Sequence, residues 1–255
     1  MSRIAVAATA PFGADVLERL AAKHDVAQLL TRPDAPRGRG RRLAPSPAKD
    51  VAVRLGIPVV HERDALDAET VVVCAYGLLI PESLLSRALW LNVHPSLLPR
   101  WRGAAPVERA IMAGDAQTGV TIHRTTKELD AGPIAAQEAF DVGPEDDAGV
   151  VYARAAEVAA RLLDGVLEQP TFTPQPDEGV TYAEKIAASD RELDPSRPAR
   201  ELVDRVRALS PHIGARMGGL IVWKARADGD EFVPIEVQPT GGRRMEYEAY
   251  LRGRR

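Results

Sequence analysis

The sequence predicts an α/β protein: a mostly parallel sheet with helices on both faces, followed by a small, mainly β second domain. Over about the first 140 residues, short apolar runs of strand length alternate with segments whose apolar residues recur at helical spacing. A long helical stripe then occupies residues 148–167, through Val151, Ala155, Val158, Leu162 and Val166. Finally, EQPTFTPQPDEG, rich in proline, interrupts the pattern before further strand-like runs begin. Repeated βαβ units of this kind build Rossmann-like sheets, because parallel neighbours need a crossover helix.

The elements follow in order. Residues 4–8 are continuously apolar, as a strand covered on both faces must be, and 14–20 carry Val16, Leu17 and Leu20 at helical spacing. The rhythm returns with strand-like 26–30, helical 51–55, strand-like 58–60 and 71–75, helical 83–88 and strand-like 89–93. After the first strand stands ATAPFGAD, not a glycine-rich dinucleotide turn, so a nicotinamide enzyme loses its main support. Residues 197–209 read as a short helix, and 220–224 and 232–237 as strands. The expected division is 1–168 for the larger domain, 169–188 for a semi-rigid linker and 189–255 for the small domain.

Composition narrows the function. With 45% hydrophobic and 27% charged residues among 255, the chain can bury a substantial core. A net charge of −3 supplies no global attraction for nucleic acid or membranes, so any RNA contact must be local. No run approaches the roughly 20 apolar residues that cross a bilayer, and MSRIAVAATAPF reads as a first strand, not a signal peptide. A cytoplasmic, monomeric protein is expected. The single cysteine, Cys74, lies in an apolar run and is read as an inert core thiol. The five histidines are scattered, so no metal site is predicted.

LNVHPSLLP places Asn92 and His94 two positions apart at the end of a predicted strand, so their side chains share one face near the carboxyl edge where open α/β sheets bind ligands. An isolated Asn-x-His also suits a turn-forming asparagine beside a capping histidine. As chemistry, an amide that donates to a developing oxyanion beside an imidazole that carries a proton suits attack on a carbonyl. Asp130, in HRTTKELDAGPI, could orient that imidazole. His24, His61 and His212 are read as surface or turn residues. His123 falls on the face opposite Val120 and Ile122, which makes it a supporting or surface residue. Trp90 and Trp223 are read as core anchors. Arg37, Arg39, Arg41 and Arg42, spaced by glycines, form either a solvated loop or an arm that grips phosphates.

The stretch NVHPSLLPRWRGAAPVERAIMAGDAQTGVTIHRTTKELDAGPI resembles the catalytic core of the folate-dependent formyltransferases, and within them the enzymes acting on charged initiator tRNA. TRPDAPRGRGRRLAPSPAKDVAVRLGIPV, VVVCAYGLLIP, TYAEKI, WKA and the closing LRGRR extend the likeness along the chain. The resemblance implies the formyltransferase fold, with a reduced OB-like barrel as the small domain. It implies Asn92, His94 and Asp130 as catalytic residues. It also implies folate contacts at Ser96, Leu97, Leu98 and Pro99 and at the loop of Tyr76, Gly77, Leu78 and Leu79, and RNA contacts at the four arginines. The donor would be 10-formyltetrahydrofolate and the acceptor initiator methionyl-tRNA, in translation initiation. Formylation of a small amine, such as an aminosugar nucleotide or glycinamide ribonucleotide, or hydrolysis of formyltetrahydrofolate, would use the same residues.

Overall fold

The computed structural model describes residues 3–37 and 42–253. The chain opens with β1 (Arg3–Ala8), α1 (Pro11–Ala21), β2 (Asp25–Leu30), the hairpin β3 (Ala35–Arg37) and β4 (Arg42–Ala44), α2 (Pro47–Leu55) and β5 (Val59–Val60). Next come β6 (Thr70–Cys74), the short α3 (Glu82–Leu85), β7 (Leu89–His94), β8 (Arg102–Gly103), α4 (Pro106–Met112), β9 (Gln117–Arg124) and β10 (Ile134–Asp141). The long α5 (Ala148–Glu168) leads to β11 (Tyr182–Ala183), α6 (Ala199–Leu209), β12 (Ala215–Met217), β13 (Leu220–Asp228), β14 (Glu231–Pro239), β15 (Met245–Glu246) and α7 (Tyr247–Arg252).

Seven strands form one sheet in the order β10-β9-β7-β6-β1-β2-β5. β1 runs parallel to β2 and β6, β6 to β7, and β2 to β5, whereas β9 is antiparallel to β7. The chain leaves β1 for β2 on one side and reaches β6 on the other. That reversal opens a crevice beyond the carboxyl ends of the strands. The central strands are apolar throughout because both faces are covered: all of β1 after Arg3 is buried, and Val71 and Val73 join Ala5, Ala7, Leu30 and Trp90 in one core cluster. Trp90 also satisfies its indole by donating to the Leu84 carbonyl at 2.8 Å.

Local chemistry sets the helix ends. In α2, Ser46 caps the first turn by accepting from the Lys49 amide, proline occupies the first turn, and Gly56 closes the helix at φ 70°. α1 lacks a side-chain cap but also starts with proline, and buries Phe12, Val16, Leu17 and Leu20. Gly13 explains the unusual turn after β1: a β-carbon built there would collide with the Cys74 carbonyl and with Ala8, so glycine lets the helix lie against the strand ends. Cys74 itself is buried and free, and burial pushes its thiol pKa well up, as an inert core thiol requires.

Two compact units divide the chain, and neither is one continuous segment. One comprises residues 1–102, 119–139 and 153–181; the other comprises 103–118, 140–152 and 182–255. The second unit is richer than the two or three strands read from sequence. Its four-stranded antiparallel sheet, β12-β13-β14-β15, is in keeping with a reduced barrel, and Leu202, Val206 and Leu209 of α6 pack with Leu220, Val222 and Val237. Arg207 draws in the 140–152 segment by donating to the Gly143 and Asp146 carbonyls while pairing with Asp204 at 2.7 Å. The proline-rich stretch, read as a semi-rigid linker, is pinned at one point. Thr173 exchanges both backbone hydrogen bonds with Ile134, at 2.8 and 2.9 Å. Proline there removes few donors that the chain needs, so the composition of a linker and of an edge bridge look alike.

Gly13→Ala is expected to lower unfolding free energy by about 1–3 kcal/mol, the usual cost of overpacking a filled site. Urea denaturation measures it, and parental stability would mean that α1 shifts without cost.

Candidate active site

Strand pairing brings the site together. Asn92 lies opposite Val73 of β6 on one side and His123 of β9 on the other, and His94 lies opposite Thr121. Residues directly opposite each other share a face, so Asn92, His94 and His123 all project to one side while Val93 and Ile122 project to the other. Asp130 arrives from the turn after β9. His94, His123 and Asp130 are 4%, 1% and 9% exposed, so charge on any of them is felt strongly.

The hydrogen bonds fix the tautomers. Asn92 Nδ2 donates to Asp130 Oδ1 at 3.0 Å and to His123 Nε2 at 3.2 Å, which uses both amide hydrogens. His123 Nδ1 lies 3.0 Å from the Arg124 carbonyl, an acceptor only, so Nδ1 carries its hydrogen and Nε2 accepts. His94 Nε2 donates to the Trp101 carbonyl at 2.8 Å for the same reason. Neutral His94 therefore turns a bare Nδ1 toward Asp130 Oδ2, 3.7 Å away. Burial pulls the His94 pKa below the ordinary imidazole value. The Asp130 charge and the Trp101 carbonyl raise it in part, and His123 lowers it.

Of the two places read for His123 from sequence, supporting or surface, the structure gives the first: it is buried against Asn92. Alternation along β9 gave its face, but only the antiparallel pairing with β7 reveals that this face is the site. His24 and His61 also depart from the solvated role expected of them: His24 Nε2 meets Asp164 Oδ1 at 3.1 Å, and His61 Nδ1 donates to the Thr31 carbonyl at 2.9 Å.

Around these residues the backbone is strained. Among the described residues, the three non-glycine positions with positive φ are Ala75 at 47°, Trp101 at 63° and Asp130 at 47°. Ala75 starts the loop of Tyr76, Gly77, Leu78 and Leu79. There Tyr76 is buried, its carbonyl accepting from Thr9 Oγ1 at 3.0 Å, whereas Leu78 and Leu79 are exposed. Ser96 and Leu98 are buried and engaged in shaping their turn. Ser96 Oγ donates to the Arg100 carbonyl at 2.7 Å, Thr121 Oγ1 donates to the Ser96 carbonyl at 2.7 Å, and the Leu98 amide donates to Thr121 Oγ1 at 3.1 Å. Leu97 and Pro99 remain half-buried. Of the arginine group, Arg37 pairs with Arg42 across the β3–β4 hairpin and the Arg42 side chain is exposed, while Arg39 and Arg41 lie outside the described residues.

A half-buried amide against a buried imidazole and a buried carboxylate, at the carboxyl edge of an open α/β sheet, suits an acyl-transferring enzyme. The formyl transferase family model matches residues 2–167. A methionyl-tRNA formyltransferase of Xanthomonas euvesicatoria pv. vesicatoria is 42% identical over 229 residues, covering 82% of this chain and 74% of its own. One from Cereibacter sphaeroides is 39% identical over 289 aligned positions, covering 98% of this chain and 96% of its own. Among solved structures, methionyl-tRNA formyltransferase from Clostridium thermocellum matches with a TM-score of 0.65 at 15% identity, over 96% of this chain and 99% of that one. An N-formyltransferase from Helicobacter canadensis in complex with folinic acid and dTDP-3-aminofucose matches at 0.69 and 14%, over 91% and 94%. At such identities the structures speak for the fold alone. The chain belongs to the formyl transferase family and is a formyl-transferring enzyme.

Because the Asp130 carboxylate lifts the His94 pKa, Asp130→Asn is expected to shift the His94 imidazole titration to lower pH, followed by NMR of its ring protons. An unchanged or higher midpoint would show that the carboxylate does not act on this ring.

Proposed function

We propose that this protein transfers the formyl group of 10-formyltetrahydrofolate to the α-amine of initiator methionyl-tRNA, in support of translation initiation. The observation that carries this reading is the likeness to methionyl-tRNA formyltransferases over 98% of the chain, which takes in the small C-terminal region as well as the family domain. Nothing observed favours a small amine as acceptor or simple hydrolysis of the donor.

In the proposed reaction the amine nitrogen attacks the formyl carbon, the carbonyl oxygen becomes an oxyanion, and the bond to folate N10 breaks as that nitrogen gains a proton. Asn92 meets the oxyanion by exchanging the longer of its two bonds, the 3.2 Å contact to His123, while the 3.0 Å bond holds it to Asp130. His94 accepts the proton shed by the amine at Nδ1, the nitrogen left bare by the Trp101 contact, and Asp130 at 3.7 Å stabilises the resulting imidazolium. Protonated Nδ1 then returns the proton to N10. No step needs a metal. A neutral resting imidazole favours this role, and burial keeps His94 in that form to lower pH.

Exposed Leu78 and Leu79 offer apolar contact to the folate ring, with Gly77 at φ 79° turning the loop between them and Tyr76. Ser96, Leu97, Leu98 and Pro99 form the second folate-contacting turn, whose shape the buried Ser96 and Leu98 hold through their bonds to Arg100 and Thr121. Arg37, Arg39, Arg41 and Arg42 grip RNA phosphates, and residues 189–255, beyond a connecting stretch 169–188, contribute further tRNA contact to the catalytic region 1–168. Among the described residues no helix is long and apolar enough to cross a membrane. We place the enzyme in the cytoplasm as a monomer that binds no membrane.

Alanine at Asn92, His94 or Asp130 is expected to cut kcat for formylation of charged initiator tRNA by at least about 10²-fold in a protein that stays folded. Parental turnover in His94→Ala would remove that ring from the chemistry. For the RNA arm, Arg42→Ala should raise KM for charged tRNA and flatten its salt dependence by about one unit of slope, with donor KM unchanged. An identical slope in variant and parent would free the hairpin from that role.

A further inference from the structure

We propose that Gln175 is a positioning residue of the formyl-transfer site, fixing the backbone of Asp130 directly and, through Arg102, the turn that presents the Trp101 carbonyl to His94. The proposal rests on the roles given to His94 and Asp130 above.

Gln175 stands between two prolines in the stretch that composition marks as a spacer, yet its side chain is saturated. Nε2 donates to the Asp130 carbonyl and to the Gly132 carbonyl, both at 2.8 Å. Oε1 accepts from Arg102 Nε at 3.2 Å and from Arg102 Nη2 at 2.7 Å. Two donors and two lone pairs are the full capacity of a primary amide. A shorter asparagine loses reach, a glutamate loses both donors, and a lysine loses both acceptors.

The two turns joined in this way are the strained ones. Asp130 at φ 47° and Trp101 at φ 63° occupy a region that residues with a β-carbon hold only when their surroundings leave no alternative. On its other side the Asp130 turn is pressed against β9. A β-carbon on Gly132 would collide with the Arg124 carbonyl, and the Arg124 amide donates to the Pro133 carbonyl at 2.9 Å. Gln175 closes the remaining side. It is itself anchored, because Thr173 bridges Ile134, Phe172 lies under the Arg124 guanidinium at 4.2 Å, and Thr181 accepts from the amides of Trp101 and Arg102. Both His94 contacts, the one to Trp101 and the one to Asp130, therefore trace back to one amide that touches no reacting atom.

Gln175→Met keeps length and neutrality and removes all four bonds; Gln175→Glu keeps the acceptors for Arg102 and removes only the donors. With purified full-length protein, each is expected to lose about tenfold or more in kcat with KM for charged tRNA and for the folate donor within about twofold, since misplacement by about an ångström slows chemistry more than binding. In Gln175→Met the His94 titration should also fall, because the carboxylate that lifts it has drifted. Should the methionine variant fail to fold, the glutamate variant still reads the split between kcat and KM. Parental kcat in either folded variant, with His94→Ala inactive, overturns the proposal and leaves the catalytic reading standing. A loss confined to KM for charged tRNA also overturns it. An active His94→Ala protein removes the catalytic reading and this proposal with it.

Discussion

A carboxylate that is only 9% exposed must replace the water it has lost, and the 3.0 Å bond from Asn92 to Asp130 supplies that replacement. Much else follows from the need to aim that amide. Asn92 can face Asp130 only because β7 ends there, in parallel register with β6 and antiparallel register with β9. β6 is in turn held by β1, and β1 by helix α1 lying close enough that position 13 must be glycine. The apolar centre of the sheet thus serves one polar contact at its rim.

Strain and stability are kept apart in this molecule. The described residues with a β-carbon and positive φ all stand in loops, at Ala75, Trp101 and Asp130, while the central strands behind them are buried. Such loops are tenable when hydrogen bonds from several segments converge on them. Thr9 and Ala10 hold the first, Thr181 and Arg102 the second, and Arg124 and Gln175 the third. Buried imidazole is kept neutral by the same enclosure, so the groups that confine the backbone also set its protonation.

The central strands were legible because burial on both faces leaves an uninterrupted apolar run, and α5 because 21 residues sustain a helical stripe. Asn92 and His94 were legible through spacing, whereas Asp130 was legible as a carboxylate able to orient His94, with resemblance to a family strengthening that reading. The short α4, with 7 residues, and the half-buried β10 carry too little pattern to stand out. The second unit gathers 103–118 and 140–152 around residues far along the chain, which no local window records. The depth of His123 depends on a strand pairing across 31 positions, and the bonds of Gln175 on a loop 45 positions away. Polar residues in a proline-rich stretch give no local sign of such partners.

The pairing of β7 with β9 also makes the site a question of parity. Side chains along a strand alternate, so the face shown by His123 depends on whether the number of residues within β9 is odd or even. A segment inserted in the turn before Gln117 leaves that count untouched whatever its length. One residue added inside β9 would bring Ile122 or Arg124 to the position opposite Asn92. The geometry of this site therefore tolerates added length in the turn before β9 and not within the strand itself.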